Sequence, residues 1–309
     1  MTDLPLVLSD AAAAARARGR PLVALESTIV THGMPAPRNI ETARAVEADI
    51  RSAGVEPATV AVIDGTLRVG LDDPALADLA NRAAAGGVAK LSRADMAVCM
   101  ATGGTGSTTV AATMIAARAA GIGVFATGGI GGVHRGAETS FDISADLQEL
   151  AQTPVTVVCA GAKAILDLPK TLEVLETLGV PVMAVGQDAL PAFWSRDSGL
   201  RAPLRCDAPD AIARAAAMRA ALGLPGGQLV TLPIPEAHEI PANDLAPLIA
   251  QAQAEADAKG IAAKDVTPYL LSRLGTLTSG RTLEANVALV RNNARFAARI
   301  AAAACATAG

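Results

Sequence analysis

Aromatic side chains are scarce in this sequence: four Phe, one Tyr and one Trp occur among 309 residues. That leaves no stacking platform for single-stranded nucleic acid. Positive charge is not in excess either. Lys and Arg number 26 against 30 Asp and Glu, for a formal net charge of −4, so no electrostatic footprint for a phosphate backbone is present. No run of about 18 apolar residues suggests a membrane span. The N-terminus lacks the basic flank and apolar stretch of a secretory signal. Cys99, Cys159, Cys206 and Cys305 are widely spaced and form no CxxC pair or metal-ligand spacing. Reduced, packed thiols in a cytoplasmic protein are therefore expected, with neither nucleic acid nor membrane as partner.

What the chain does contain is apolar material, 51% of its residues, ample for a core. No low-complexity linker or charge block divides it, so one α/β domain over residues 1–309 is expected. Short β-branched runs alternate with longer helical patterns. "LVAL" (22–25), "ATVAVI" (58–63), "MAVCM" (96–100), "GVFAT" (123–127), "VTVVCA" (155–160), "VPVMAVG" (180–186) and "QLVTLPIP" (228–235) read as strands. Asp64-Gly65 before "TLRVGL" reads as a hairpin turn. Helices are expected over 40–53 (capped by Asn39), 74–85 (opened by Asp73-Pro74), 107–120, 169–178, 208–222, 244–259, 265–274 and 281–304. Strands separated by helices imply parallel crossovers, and the hairpin adds an antiparallel pair. The expected fold is a three-layer α/β/α sandwich with a mixed, mostly parallel central sheet.

Chemistry concentrates where strands end, which is where open α/β sheets bind ligands. Two glycine-rich loops, "ATGGTGSTT" (101–109) and "ATGGIGGVHRG" (126–136), are read at such ends. Each fits either a plain turn or an anion cradle, the amides of Ser107, Thr108 and Thr109 opening a helix in the second case. Neither has the Gly-Lys-Ser/Thr of a nucleotide phosphate loop. Glu26, after "LVAL", is either a strand-end carboxylate on backbone amides or a partly desolvated proton donor. In "FDISADLQEL", Ser144 suits a helix cap and Asp146 a first turn. Asp142 and Asp146 together also suit a hard divalent ion. His134 lies in a glycine loop rather than on an apolar face; His32 and His238 receive no chemistry. Lys163, in "VVCAGAKAILDLP", stands among strongly apolar neighbours. It is either a snorkelling lysine or an amine kept neutral by burial, which is a nucleophile suited to a Schiff base.

The stretches "ALESTIVTHGMP", "GSTTVAATM", "FATGGIGGVHRGAETSFDISADLQEL", "TPVTVVCAGAKAILDLPKTLEVLETLGVPV", "DVTPYLLSRL" and "LEANVALVRNNA" together resemble the pseudouridine-5′-phosphate glycosidases, a family that includes the indigoidine synthase A-like proteins. The resemblance runs from about residue 21 to residue 300 of the chain. It implies an enzyme of nucleotide catabolism, formally a carbon–oxygen lyase acting as a C-glycosidase. Its reaction is the reversible conversion of pseudouridine 5′-phosphate to uracil and ribose 5-phosphate. By that resemblance Lys163 is the Schiff-base nucleophile and Glu26 the proton donor to the base. Asp142 binds Mn²⁺, largely through waters. Lys90, Val110 and the Ser144–Ala145–Asp146 segment contact substrate. Thr127 and His134 line the phosphate and ribose side, and Asn286 the uracil side. A homotrimer is implied as well.

Overall fold

The sheet begins with a pair that is distant in sequence. In the computed structural model, which describes residues 4–261 and 266–307, β1 (Leu6–Leu8) is followed by α1 (Asp10–Ala17) and β2 (Leu22–Leu25). A π-helical turn (Ile29–Gly33) and α2 (Arg38–Ser52) lead into the hairpin of β3 (Glu56–Ile63) and β4 (Thr66–Val69). Next come α3 (Asp73–Ala84), β5 (Ala89–Leu91), α4 (Met96–Ala101), β6 (Gly106–Thr108) and α5 (Val110–Ala119). The middle holds β7 (Val124–Ala126), α6 (Ala137–Ser140), α7 (Ala145–Gln152), β8 (Thr156–Cys159), α8 (Leu168–Thr177), β9 (Val182–Ala184) and β10 (Leu204–Arg205). The last part contains α9 (Pro209–Ala221), β11 (Gln228–Thr231), α10 (Ala242–Ala258), α11 (Val266–Leu277) and α12 (Arg281–Thr307).

The strand order is β1-β4-β3-β2-β7-β8-β11-β9-β10, with β6 branching from β3 and β5 beside it. Only β3–β4 and β3–β6 are antiparallel among the described pairs, so the mixed, mostly parallel sheet is as expected. Helices α2, α9 and α12 pack together on the sheet and α5 packs with α7, covering both sides. Central strands such as β8, "TVVC", are buried at every position, which is why they read as continuous apolar runs rather than alternating ones. Among the described residues, no helix is long and apolar enough to cross a membrane.

Local differences from the expected elements have physical reasons. "MAVCM" forms a helix, α4, not a strand. Five apolar residues carry no decisive period, and here only one face packs: Met96 is buried while Val98 is 65% exposed. Helix α5 therefore starts at Val110, and residues 106–108 form β6 instead of its first turn. Asn39 is not a cap but sits inside the first turn of α2, its Nδ2 donating to the Val30 carbonyl at 2.6 Å. Asp72, one residue before the expected Asp73, caps α3 through the Ala75 amide. The strands expected at 180–186 and 228–235 are shorter, and Asp265, the first residue of the helix expected at 265–274, lies outside the described residues.

Candidate active site

A cavity of about 340 Å³ opens beyond the carboxyl ends of β2, β7 and β8. Glu26, Lys90, Val110, His134, Asp142, Ser144, Asp146, Lys163 and Asn286 all line it. Residues separated by as much as the length from Glu26 to Asn286 are thus brought together by the sheet order. Thr127 and Ala145 do not line it. Thr127 is buried behind Glu26, and Ala145 is a half-buried link between two lining residues.

Glu26 follows the last residue of β2, and its carboxylate accepts hydrogen bonds from the Thr28 and Thr127 hydroxyls. It is therefore held by side chains rather than by the backbone amides of the plain strand-end reading. Thr127 is fixed in turn: Asn293 Nδ2, from α12, donates to the carbonyls of Thr127 at 2.9 Å and Gly128 at 3.3 Å. Both carboxylate oxygens of Glu26 thus have a defined direction before any ligand enters.

Lys163 comes off β8 on a segment laid against the second glycine loop. Its amide donates to the Ile130 carbonyl at 3.1 Å, and Ala162 bridges Ile130. The residue is half-buried, and among the described residues no carboxylate forms an ion pair with its ammonium. Nearby charge is nonetheless felt. His134 lies below the ordinary histidine value because burial disfavours the imidazolium; Asp142 partly offsets this, while Lys163 and Lys90 depress it further. His134 Nδ1 stands 3.9 Å from Asp142 Oδ2.

Asp146 has the most defined role in the architecture. Ala111 at the start of α5 donates its amide to Oδ1 at 2.9 Å, and Gly131 donates to Oδ2 at 2.7 Å. One buried carboxylate therefore ties a helix N-terminus to the second glycine loop, while Ser144 caps α7 by accepting from the Asp146 amide. The cradle expected from the 107–109 amides does not form. Thr108 N donates to Ser27 Oγ at 3.0 Å and Thr109 N to the Leu91 carbonyl at 2.9 Å. What remains at the cavity is the N-terminus of α5 at Val110, beside Thr109 and Lys90. The Thr109 hydroxyl is buried and has no hydrogen-bond partner among the described residues. Asp146 already takes the Ala111 amide at this N-terminus, so what is left for an anion is Lys90, the Thr109 hydroxyl and the Val110 end of the helix.

His32 was not anticipated, yet it lines the cavity from the π-helical turn. Its Nδ1 contacts Thr31 Oγ1 at 2.6 Å and Ser107 Oγ at 3.3 Å, and burial followed by the charge of Lys90 lowers its pKa. Ser107 is 75 residues away in sequence, so no local signal pairs them. Thr28 was closer to hand, two residues after Glu26 in "LEST". Phe193 lines the cavity, and Trp194 next to it donates from Nε1 to Asn286 Oδ1 at 2.7 Å. Among the described residues, no group of three or more His, Cys, Asp or Glu is gathered to hold a metal ion.

An amine, a held carboxylate and a helix N-terminus beside a lysine share one cavity. The sequence profile described as "Indigoidine synthase A like protein" matches residues 11–303. The chain belongs to that family. Among its relatives, the "Pseudouridine-5′-phosphate glycosidase" of Jannaschia sp. (strain CCS1) is 69% identical over 300 residues, covering 97% of this chain and 98% of that protein. The protein of the same name from Roseobacter denitrificans is 69% identical over 303 residues, covering 98% and 97%. The solved structure of the prealnumycin C-glycosynthase AlnA, in complex with ribulose 5-phosphate, superposes with a TM-score of 0.89. It is 40% identical and covers 99% of each chain. An indigoidine synthase A-like protein from Thermotoga maritima gives a TM-score of 0.88 at 31% identity, covering 98% and 97%. The three-layer fold of this chain is thus the fold of the indigoidine synthase A-like family.

Proposed function

We propose that this chain is an enzyme that cleaves the C–C glycosidic bond of pseudouridine 5′-phosphate, reversibly, to uracil and ribose 5-phosphate. The observation that carries the reading is that Lys163 and Glu26 line one cavity with the anion seat of Lys90 and the α5 N-terminus. The names of relatives at 69% identity support the substrate. The sugar phosphate bound by the C-glycosynthase neighbour supports the kind of ligand.

The chemical difficulty is that the base leaves through carbon. Protonating a leaving heteroatom, as paired carboxylates do in ordinary glycosidases, is not available. In the proposed sequence the C1′–O4′ bond opens and O4′ takes up a proton. Lys163 Nζ bonds to C1′ and sheds a proton. Its lone pair then forms the C=N bond as the C1′–C5 bond breaks, and C5 keeps that electron pair and receives a proton from Glu26. Water adds to the imine and releases ribose 5-phosphate, returning the amine. Overall, one water is consumed for each substrate cleaved. The sequence begins as a lyase step and ends as a net C-glycosidase reaction. The phosphate rests at the α5 N-terminus near Lys90, and His134 faces the sugar.

Mn²⁺ belongs to the proposal through Asp142. A half-buried carboxylate standing alone beside one imidazole, 3.9 Å away, fits a hard ion that keeps most of its waters, and not one that needs a full protein cage. Bound there, the ion would steady negative charge on the sugar phosphate. Chelation is expected to lower activity and Mn²⁺ to restore it; indifference to chelators removes the ion from the proposal. A cytoplasmic homotrimer is proposed from the family likeness, and the four cysteines are all free thiols. Light scattering tests the trimer.

The deciding experiment is borohydride trapping with ribose 5-phosphate, followed by intact mass and peptide mapping. The expected product is a reduced adduct on Lys163. An adduct on another lysine moves the nucleophile, and no adduct on folded, metal-loaded protein overturns the imine.

A further inference from the structure

Asn286 presents to the cavity a primary amide whose two ends are chemically opposite. Its partner decides which end faces inward. Trp194 Nε1 lies 2.7 Å from Asn286 Oδ1. An indole N–H donates and never accepts, so the oxygen must be the atom that meets it. That leaves the Nδ2 hydrogens for the cavity that Asn286 lines, and among the described residues no group accepts from them. The Trp194 side chain is itself immobilised. It is fully buried, its ring is tilted 56° against Phe193 at 5.1 Å between centroids, and its carbonyl accepts from the Ile240 amide at 2.9 Å. Turning the amide over would strand a buried indole N–H beside an NH₂ group, which carries the full desolvation penalty of an unpaired donor.

We infer that Trp194 is a positioning residue that fixes Asn286 as a hydrogen-bond donor, so that this end of the cavity selects a base bearing a carbonyl over one bearing an exocyclic amine. The inference rests on the functional reading above, because it takes the occupant of this end to be the base. A uracil-type ring offers carbonyl acceptors; a cytosine-type ring places an amine at one of those positions. An amine against Asn286 Nδ2 sets donor against donor, and sites built to hydrogen-bond one group reject its opposite strongly. Phe193, which lines the cavity and packs on Trp194, supplies an apolar ring at the same end.

The chain has a single tryptophan, so protein labelled with ¹⁵N at the indole gives one side-chain resonance. That resonance is expected to shift when uracil is added with ribose 5-phosphate, and to stay in place with ribose 5-phosphate alone. In the synthetic direction, Trp194→Phe removes the N–H while keeping an aromatic ring. It is expected to raise the KM for uracil about tenfold, the worth of one hydrogen bond. The KM for ribose 5-phosphate should be unchanged, and the preference for uracil over cytosine narrowed. Asn286→Asp keeps an oxygen for Trp194 but replaces the donor with an acceptor, and should turn the preference towards cytosine. This variant keeps the inference testable if Trp194→Phe does not fold. A resonance indifferent to uracil, or both KM values moving together, overturns the inference. A resonance that responds to uracil in a protein that forms no C-glycoside overturns the functional reading and leaves the base end standing.

Discussion

Two segments of this chain are nearly the same in sequence and do different things. "ATGGTG" at 101–106 and "ATGGIG" at 126–131 both suggest a strand that ends in a ligand loop. The second fulfils this: it leaves β7, and Gly128, Gly129 and Gly131 line the cavity. The first leaves a helix, α4, and two of its glycines serve packing. A side chain at Gly106 would run into Leu91, and one at Gly104 would meet Cys99 Sγ at 3.0 Å. Only its continuation reaches the site, through Ser107 behind His32 and through Thr109 and Val110 at the start of α5. The difference lies in what each run is laid against. The second is gripped by Asp146, 15 residues on, by the Lys163 amide, and by Asn293 from 165 residues away. A glycine run is permission for close approach, and the partner decides what approaches.

The largest expected effect breaks the chemistry attached to the second loop. Lys163→Ala should lower turnover at least about a thousandfold, since the proposed imine forms on its amine. The melting temperature should stay within a few degrees, since no ion pair of the described residues is lost. Steady-state assay of uracil release checks this, and a substantially active mutant removes Lys163 as nucleophile. Glu26→Gln should follow, at about a hundred- to ten-thousandfold. The amide keeps an oxygen for one of the two threonine hydroxyls but cannot deliver the proton to C5. Unchanged uracil release would reassign the acid.

The glycine comparison is sharpened by a matched pair. Gly131→Ala places a methyl group on Ser144 Oγ and 2.8 Å from Asp146 Oδ2, the oxygen that accepts the Gly131 amide. The tie between α5 and the loop must then open. Activity should fall roughly ten- to a hundredfold through misplacement of the reacting groups, with about 1–3 kcal/mol lost to overpacking. Gly103→Ala meets nothing within 4 Å but holds a φ of +70°, so its cost is left-handed backbone alone, about 1 kcal/mol. Activity should remain within about twofold of wild type. Kinetics and thermal melts on both variants check the pair. Equal activity losses would mean that the two runs are functionally alike after all.

Much of the site was legible because its residues sit at breaks in pattern. Glu26 ends an apolar strand, Lys163 interrupts an apolar neighbourhood, and Ser144 with Asp146 opens a helix. The mixed sheet followed from alternating periods and one Asp-Gly turn. What was not legible depends on pairing across long separations. Ser107 reaches His32 over 75 residues and Trp194 reaches Asn286 over 92; neither contact leaves a local mark. The helix at 96–101 leaves no mark in the sequence, because a short apolar run has the same composition in either state. Of the two readings open for the 107–109 amides, plain turn or anion cradle, the cradle fails for a different reason. Once β6 takes those residues, Ser27 and Leu91 hold the Thr108 and Thr109 N–H groups that a phosphate would have met.

The smallest effect concerns the two histidines, one attached to each glycine run. Ser107 of the first run holds His32, and the second run carries His134; both have pKa values below 6.5, chiefly through burial. A depressed histidine binds its proton less readily in the folded chain than in the unfolded one. Below 6.5 the unfolded state therefore takes up more protons, and stability falls as pH drops through the folded values. Above 6.5 the rings bind little proton in either state, so the loss is small there. Thermal melts from about pH 7 to about pH 5.5 should show a declining melting temperature in the wild type. His32→Gln should remove one share of that decline while keeping a side chain that Ser107 and Thr31 can bond. His134→Gln should likewise remove the share carried by that ring, where burial and the charges of Lys163 and Lys90 work against Asp142. A steeper decline in His32→Gln would mean that the ring is held protonated, with Nδ1 donating to the hydroxyls of Thr31 and Ser107.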